Sequence, residues 1–184
     1  IHVGPRKVRL LADMIRKDMK DARKAIKELG CKEIRDQGVM EIIAVNAASL
    51  AADTQWIWAC WEWLAAWVGK EPYGDKHRDR VNRVKELPIV PVAGHLLRHS
   101  DLAGRIVTWK PDWHEENFPD WLPLTFADDW FRDRIQALPL HEPTVKELCN
   151  ELGIMKPETD VVRRAVGQAI EQYWKNKLGD PEQF

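Results

Sequence analysis

Two imidazoles four residues apart, His95 and His99 in GHLLRHSD, with the carboxylate of Asp101 just beyond them, are the side chains whose types and spacing come nearest to a reactive centre. On an α-helix the four-residue step would project both rings from one turn. A carboxylate beside them would complete three ligands with one position left open, as a catalytic zinc or iron requires. His114, Glu115 and Glu116 supply further ligand types downstream. The pattern stops short of a motif, because Leu96 stands where HExxH has its glutamate and glycine and proline interrupt the surroundings. Surface histidines are the plainer reading, and a metal-dependent enzyme built on His95, His99 and a carboxylate is the alternative hypothesis rather than the leading one.

Other reactive arrangements are weaker still. GxSxG, the Walker-type phosphate loop and GxGxxG are all missing from the sequence, so those nucleophile and phosphate-cradling motifs are excluded and no cofactor is expected. Cys31, Cys60 and Cys149 are odd in number, far apart and free of a CxxC pair, which argues against a disulfide framework or a zinc knuckle. A reducing, cytoplasmic setting is the simplest expectation. Cys60 lies in an apolar run and should be an inert, neutral thiol. Glu62, in the same run, needs a partner or a proton; Lys or Arg from the basic N-terminal segment is the expected partner, and a catalytic acid the less favoured use.

Two groups of cations are candidates for nucleic acid. In KHRDRVNRVKEL, residues 76–87, Lys76, Arg80 and Arg83 fall close together on a helix, as phosphate neutralisation would want, with His77 beside them. Asp75, Asp79 and Glu86 interrupt the run, so a solvated helix laced with ion pairs competes with that use. The C-terminal third reads as a helix-turn-helix-like hairpin. Val145, Leu148, Cys149 and Leu152 form one inner face, Gly153 turns the chain, Ile154 packs at the corner, and Val161, Val162, Ala165 and Ile170 form the second inner face. Lys156, Arg163 and Arg164 would then face outward near the start of the second helix. The turn is longer than the tight DNA-binding form, and an ordinary packing hairpin is the competing reading.

Behind these residues stand the elements that must position them. QWIWACWEWLAAWV puts Trp56, Trp58, Trp61, Trp63 and Trp67 within twelve positions, apolar nearly all round a helix. Such a segment has to be buried, either as a central core helix or by closing an interface with a protein partner or a second copy, where tryptophan is enriched at hot spots. Membrane insertion is not expected, since the run is too short to span a bilayer and carries Glu62 at its middle. From about Val39 to Val68 there is no proline or glycine, which predicts one long helix or two joined near Asp53. Before it, Pro5 opens an amphipathic helix with Val8, Leu11, Ile15, Met19, Ala22, Ile26 and Leu29 at three- and four-residue steps. GPRKVRLLADMIR, residues 4–16, resembles the start of a helix in one family of bacterial large-subunit ribosomal proteins. The likeness ends there: the tryptophan-rich continuation departs from that family, and its basic hairpin and extended loop have no counterpart.

After residue 88 the chain is broken repeatedly by proline and glycine as far as Pro123, with RIVTW at 105–109 the one strand-like stretch. This reads as an irregular layer held on the core by Trp109, Trp113, Phe118 and Trp121. Thr125 or Asp128 could cap a helix whose Trp130, Phe131, Ile135 and Leu138 share one side, and two more helices follow near 143–153 and 159–178.

With 184 residues, 45% apolar and 31% charged, the chain suits a single globular domain with its own core. The net charge of −1 points to no partner, but its distribution is uneven: residues 1–37 carry 11 basic and 6 acidic groups, 70–110 carry 9 and 5, and 111–143 carry 2 and 8. The sequence therefore predicts a mainly α, single-domain helical bundle over 1–184. N-terminal helices occupy 1–87, an irregular layer 88–124 and C-terminal helices 125–178. Its expected function is that of a non-enzymatic interaction module, a subunit or regulator of a larger and possibly nucleoprotein assembly.

Overall fold

The computed structural model describes residues 36–71, 73–102, 104–110, 119–139, 144–155 and 159–178. The amphipathic N-terminal helix, Cys31, Trp113, His114, Glu115, Glu116, Phe118 and Lys156 lie outside these residues. Within them the protein is mainly helical. The order is α1 (Asp36–Asn46), α2 (Thr54–Gly69), α3 (Asp75–Lys85), β1 (Val90–Val92), β2 (His95–Leu97), a 3-10 turn (His99–Leu102), β3 (Ile106–Thr108), β4 (Leu124–Phe126), α4 (Asp129–Ala137), α5 (Thr144–Glu151), β5 (Ile154–Met155) and α6 (Asp160–Leu178).

The long proline-free stretch is two helices, joined where the sequence places the break. The Asn46 side chain turns back to donate to Ile42 O, and Ser49 Oγ donates to Asn46 O, so side chains take over carbonyls at the end of α1. Asp53 restarts the helix, its Oδ1 accepting from Trp56 N at 2.9 Å. In α2 the residues Trp56, Ile57, Trp58, Cys60, Trp61, Leu64, Ala65, Trp67 and Val68 are buried, and α3, α4 and α5 pack around them. Trp61 is fully buried, and its Nε1 finds the partner a buried indole needs by donating to Ile89 O at 3.0 Å. Phe131, also fully buried, is ringed by Trp58, Trp61, Trp109 and Trp130, with centroids 4.8–6.3 Å away. Trp109 thus fastens the middle of the chain to the core, as its position predicts.

The described part of that middle carries more regular structure than its prolines suggest. Ala93 (φ 50°) and Gly94 (φ 75°) are the two positive-φ residues of a tight turn, which pairs Val92 with His95 and Val90 with Leu97 in an antiparallel hairpin. A second sheet has the order β4-β3-β5 and is wholly parallel, with Ile106 opposite Leu124 and Val107 opposite Ile154. Alternation across β3 sends Val107 into the main core and Ile106 into a smaller cluster formed with Leu122, Leu124, Phe126 and Val162. The sheet therefore stands between the α2 core on one face and α6 on the other.

Two helices stand where the C-terminal hairpin is expected, and Gly153 (φ 73°) turns the chain between them. The connection carries β5, however, and this divides the inner faces. Val145, Leu148, Cys149 and Leu152 of α5 belong to the main core, whereas Val162 of α6 belongs to the smaller cluster. Val161 and Ile170, expected to point inward, are exposed instead.

Candidate contact surface

His77 and Arg80 have partners within the fold, and His95 and His99 are not brought together on one helical turn. The helical turn expected to join His95 and His99 does not form, because the tight turn at Ala93 and Gly94 commits residues 95–97 to a strand. His95 ends up exposed on β2 and His99 half-buried in the 3-10 turn. Asp101 is occupied locally, its Oδ2 accepting from Arg98 N at 2.9 Å. Among the described residues, no three His, Cys, Asp or Glu side chains gather as a metal site.

Arg80 is engaged within the fold. Its Nη1 donates to Trp67 O at 2.6 Å, its guanidinium carbon lies 5.0 Å from the Trp67 ring centre, and Glu71 Oε1 is 3.9 Å away. A cation at that place closes one of the carbonyls that the end of a helix leaves open and meets the negative end of the helix dipole. Lys76 and Arg83 remain exposed on α3, and Arg163 and Arg164 on α6. Glu62 is exposed, not buried, and its Oε1 accepts from Trp58 Nε1 at 2.6 Å one turn back, so the partner is an indole of its own helix.

Of the five tryptophans of α2 considered as an interface, Trp56, Trp58, Trp61 and Trp67 are buried within the single chain, and Trp63 is half-buried, stacked on Trp67. Val45 and Tyr73 are exposed elsewhere among the described residues, and the remaining exposed large apolar side chains lie on α6 or, for Trp121, against it. Val162, Val166 and Ala169, at three- and four-residue steps, pack in the cluster with Ile106, Leu122, Leu124 and Phe126, and Tyr173 follows them on the same side. A second stripe at steps of four, Ile170, Trp174 and Leu178, is 41%, 52% and 66% exposed. Beside it Trp121, 40% exposed, stacks on Tyr173 with centroids 4.5 Å apart, and Trp174 meets the same ring edge-on at 5.6 Å. Lys177 Nζ lies 5.5 Å from the centre of the Tyr173 ring, and Lys175 pairs with Glu171 at 2.9 Å.

The sequence signal for this surface was the second stripe itself. One helix face suffices for packing, and a helix with two apolar faces must use the other on something else. No helix among the described residues is long and apolar enough to cross a membrane. Compared with protein-family models, curated proteins and solved structures, the chain matches none.

Proposed function

We propose that the protein is a contact module, a subunit or regulator of a larger assembly, and that it docks on a protein partner through the outer face of α6. The observation that carries this reading is that a 19-residue helix fully buries only Val162 while leaving Ile170, Trp174 and Leu178 to solvent. An apolar stripe of that spacing is what a helix presents to a complementary groove, and a partly exposed tryptophan at its centre is the residue type most enriched at binding hot spots.

The test begins with sedimentation of the purified chain over a range of concentrations, which identifies or removes a second copy as the partner. A photoreactive residue at position 174 then captures a different protein from the native source. Support requires that the same species is lost with Ile170→Ser/Trp174→Ser and regained with Trp174→Phe. Unchanged association in the double variant overturns the assignment of α6. Because Arg163 and Arg164 share this helix, single-stranded RNA is included as a competitor; salt-dependent binding lost with Arg163→Glu/Arg164→Glu would redirect the reading to nucleic acid.

A further inference from the structure

His77 sits where three elements meet: the end of α2, the first turn of α3 and the last turn of α5. Its Nδ1 is 2.7 Å from Glu71 O and its Nε2 is 2.8 Å from Glu151 Oε1, with the side chain only 19% exposed. Both partners are acceptors, one a carbonyl and the other a carboxylate. A neutral imidazole has one N–H, so either tautomer leaves a nitrogen lone pair facing an oxygen lone pair. With Glu151 ionised, only the doubly protonated ring satisfies both contacts.

The surrounding charges agree with that state. From α5 the Glu151 carboxylate faces the ring; beyond α2 the Glu71 carboxylate is turned to Arg80, leaving its carbonyl to His77. Burial alone lowers the pKa of the imidazole. The hydrogen bond to Glu151, the one to the carbonyl of Glu71, and the charge of Glu151 outweigh it, and the net displacement is upward from 6.5. A histidine whose folded pKa lies above its unfolded value contributes stability that is complete below the unfolded value and is lost as pH rises through the folded one.

We propose that His77 is a proton-operated latch that holds the end of α5 to the α2–α3 corner in its protonated form and releases Glu151 when it becomes neutral. Glu151 is the partner released because its side chain, 34% exposed, can exchange the ring for water while Nδ1–H stays on the Glu71 carbonyl. Residues 151–154, the last residue of α5, the turn after it and the first residue of β5, are the segment so loosened. The latch stands independently of the contact role of α6.

Nitrogen-detected NMR of the histidine rings in the full chain tests this directly. The expected result is a His77 ring protonated on both nitrogens at about pH 6, titrating above 6.5 and passing to the Nδ1–H tautomer. Hydrogen exchange at residues 151–154, corrected for its intrinsic pH dependence, should lose protection over the same range. Glu151→Gln should lower the titration point of the ring and abolish the pH-dependent part of the protection. His99 also adjoins this turn, its Nε2 lying 3.9 Å from where a Cβ on Gly153 would sit, and His99→Gln should leave the effect intact. A His77 ring titrating at or below 6.5 in the unaltered chain overturns the proposal. So does protection at 151–154 that ignores pH, or that responds equally in Glu151→Gln.

Discussion

Arg80 and Asp53 close the two ends of α2 by different chemistry, a guanidinium on the Trp67 carbonyl and a carboxylate on the Trp56 amide. Asp53→Ala should cost about 1 kcal/mol through the lost N-cap, read as a lower urea midpoint with an unchanged slope. Arg80→Gln should cost on the order of 1–2 kcal/mol, since it removes a charge-assisted hydrogen bond together with packing on Trp67. Arg83→Gln, on the exposed side of α3, should stay within roughly 0.5 kcal/mol of the parent. If the two arginines prove equally dispensable for folding, the helix-closing role given to Arg80 is wrong. Spacing alone placed Lys76, Arg80 and Arg83 together but was blind to this difference, because the carbonyl that takes Arg80 belongs to another helix. Glu62 shows the related point that a side chain on an apolar run can still point outward. Its bond to Trp58 is an ordinary i, i+4 contact, and the basic N-terminal segment expected to supply its cation lies outside the described residues.

At the scale of elements, what was readable in the sequence is what depends on local periodicity. The break at Asp53 follows from its capping side chain, and the helices α3, α4 with Phe131 and Ile135 buried, and the two at the C-terminus follow from the 3.6-residue repeat. Even so, α3 begins and ends a residue or two before the expected 76–87, and neither α3 nor α4 has a side-chain cap. The strands are three residues or fewer and, in the parallel sheet, pair with segments far away in sequence, so nothing local marks β4 or β5. The β1–β2 hairpin was hidden because Ala93 takes a positive φ that its residue type does not advertise. On α6 the two apolar stripes differ in what they hold, and substitution separates them. Val162→Ala should destabilise by about 1.6 kcal/mol at ~0.8 kcal/mol per buried methyl-sized group. Trp174→Ser should change stability by less than roughly 0.5 kcal/mol while removing partner binding. A large loss of stability in Trp174→Ser would mean that the outer stripe belongs to the fold, and α6 would no longer be free to dock.

For the molecule as a whole, the question is whether the core that runs from Met40 to Ile154 opens as one unit, and the two described cysteines are placed to answer it. Cys60 lies in α2 and Cys149 in α5, on helices packed against each other, and both thiols are free and buried. Burial, with the charge of Asp53 adding to it, pushes Cys60 up to about 12, and burial pushes Cys149 up as well. Neither can react as a thiolate at neutral pH while it stays covered. In a Cys31→Ser background, labelling by a thiol reagent near pH 7 should therefore proceed only through opening, at rates giving the same free energy for both sites and matching that from denaturant. Trp61→Ala removes a fully buried side chain that touches Phe131 and holds Ile89, at a cost of about 3–5 kcal/mol. If the core is one unit, that substitution speeds labelling at Cys60 and at Cys149 by the same factor, roughly 10²–10⁴-fold. Acceleration confined to Cys60, or faster labelling of Cys149 in the parent chain, would show that α5 opens on its own. The indole cluster would then organise α2 and its immediate neighbours without binding the C-terminal half to them.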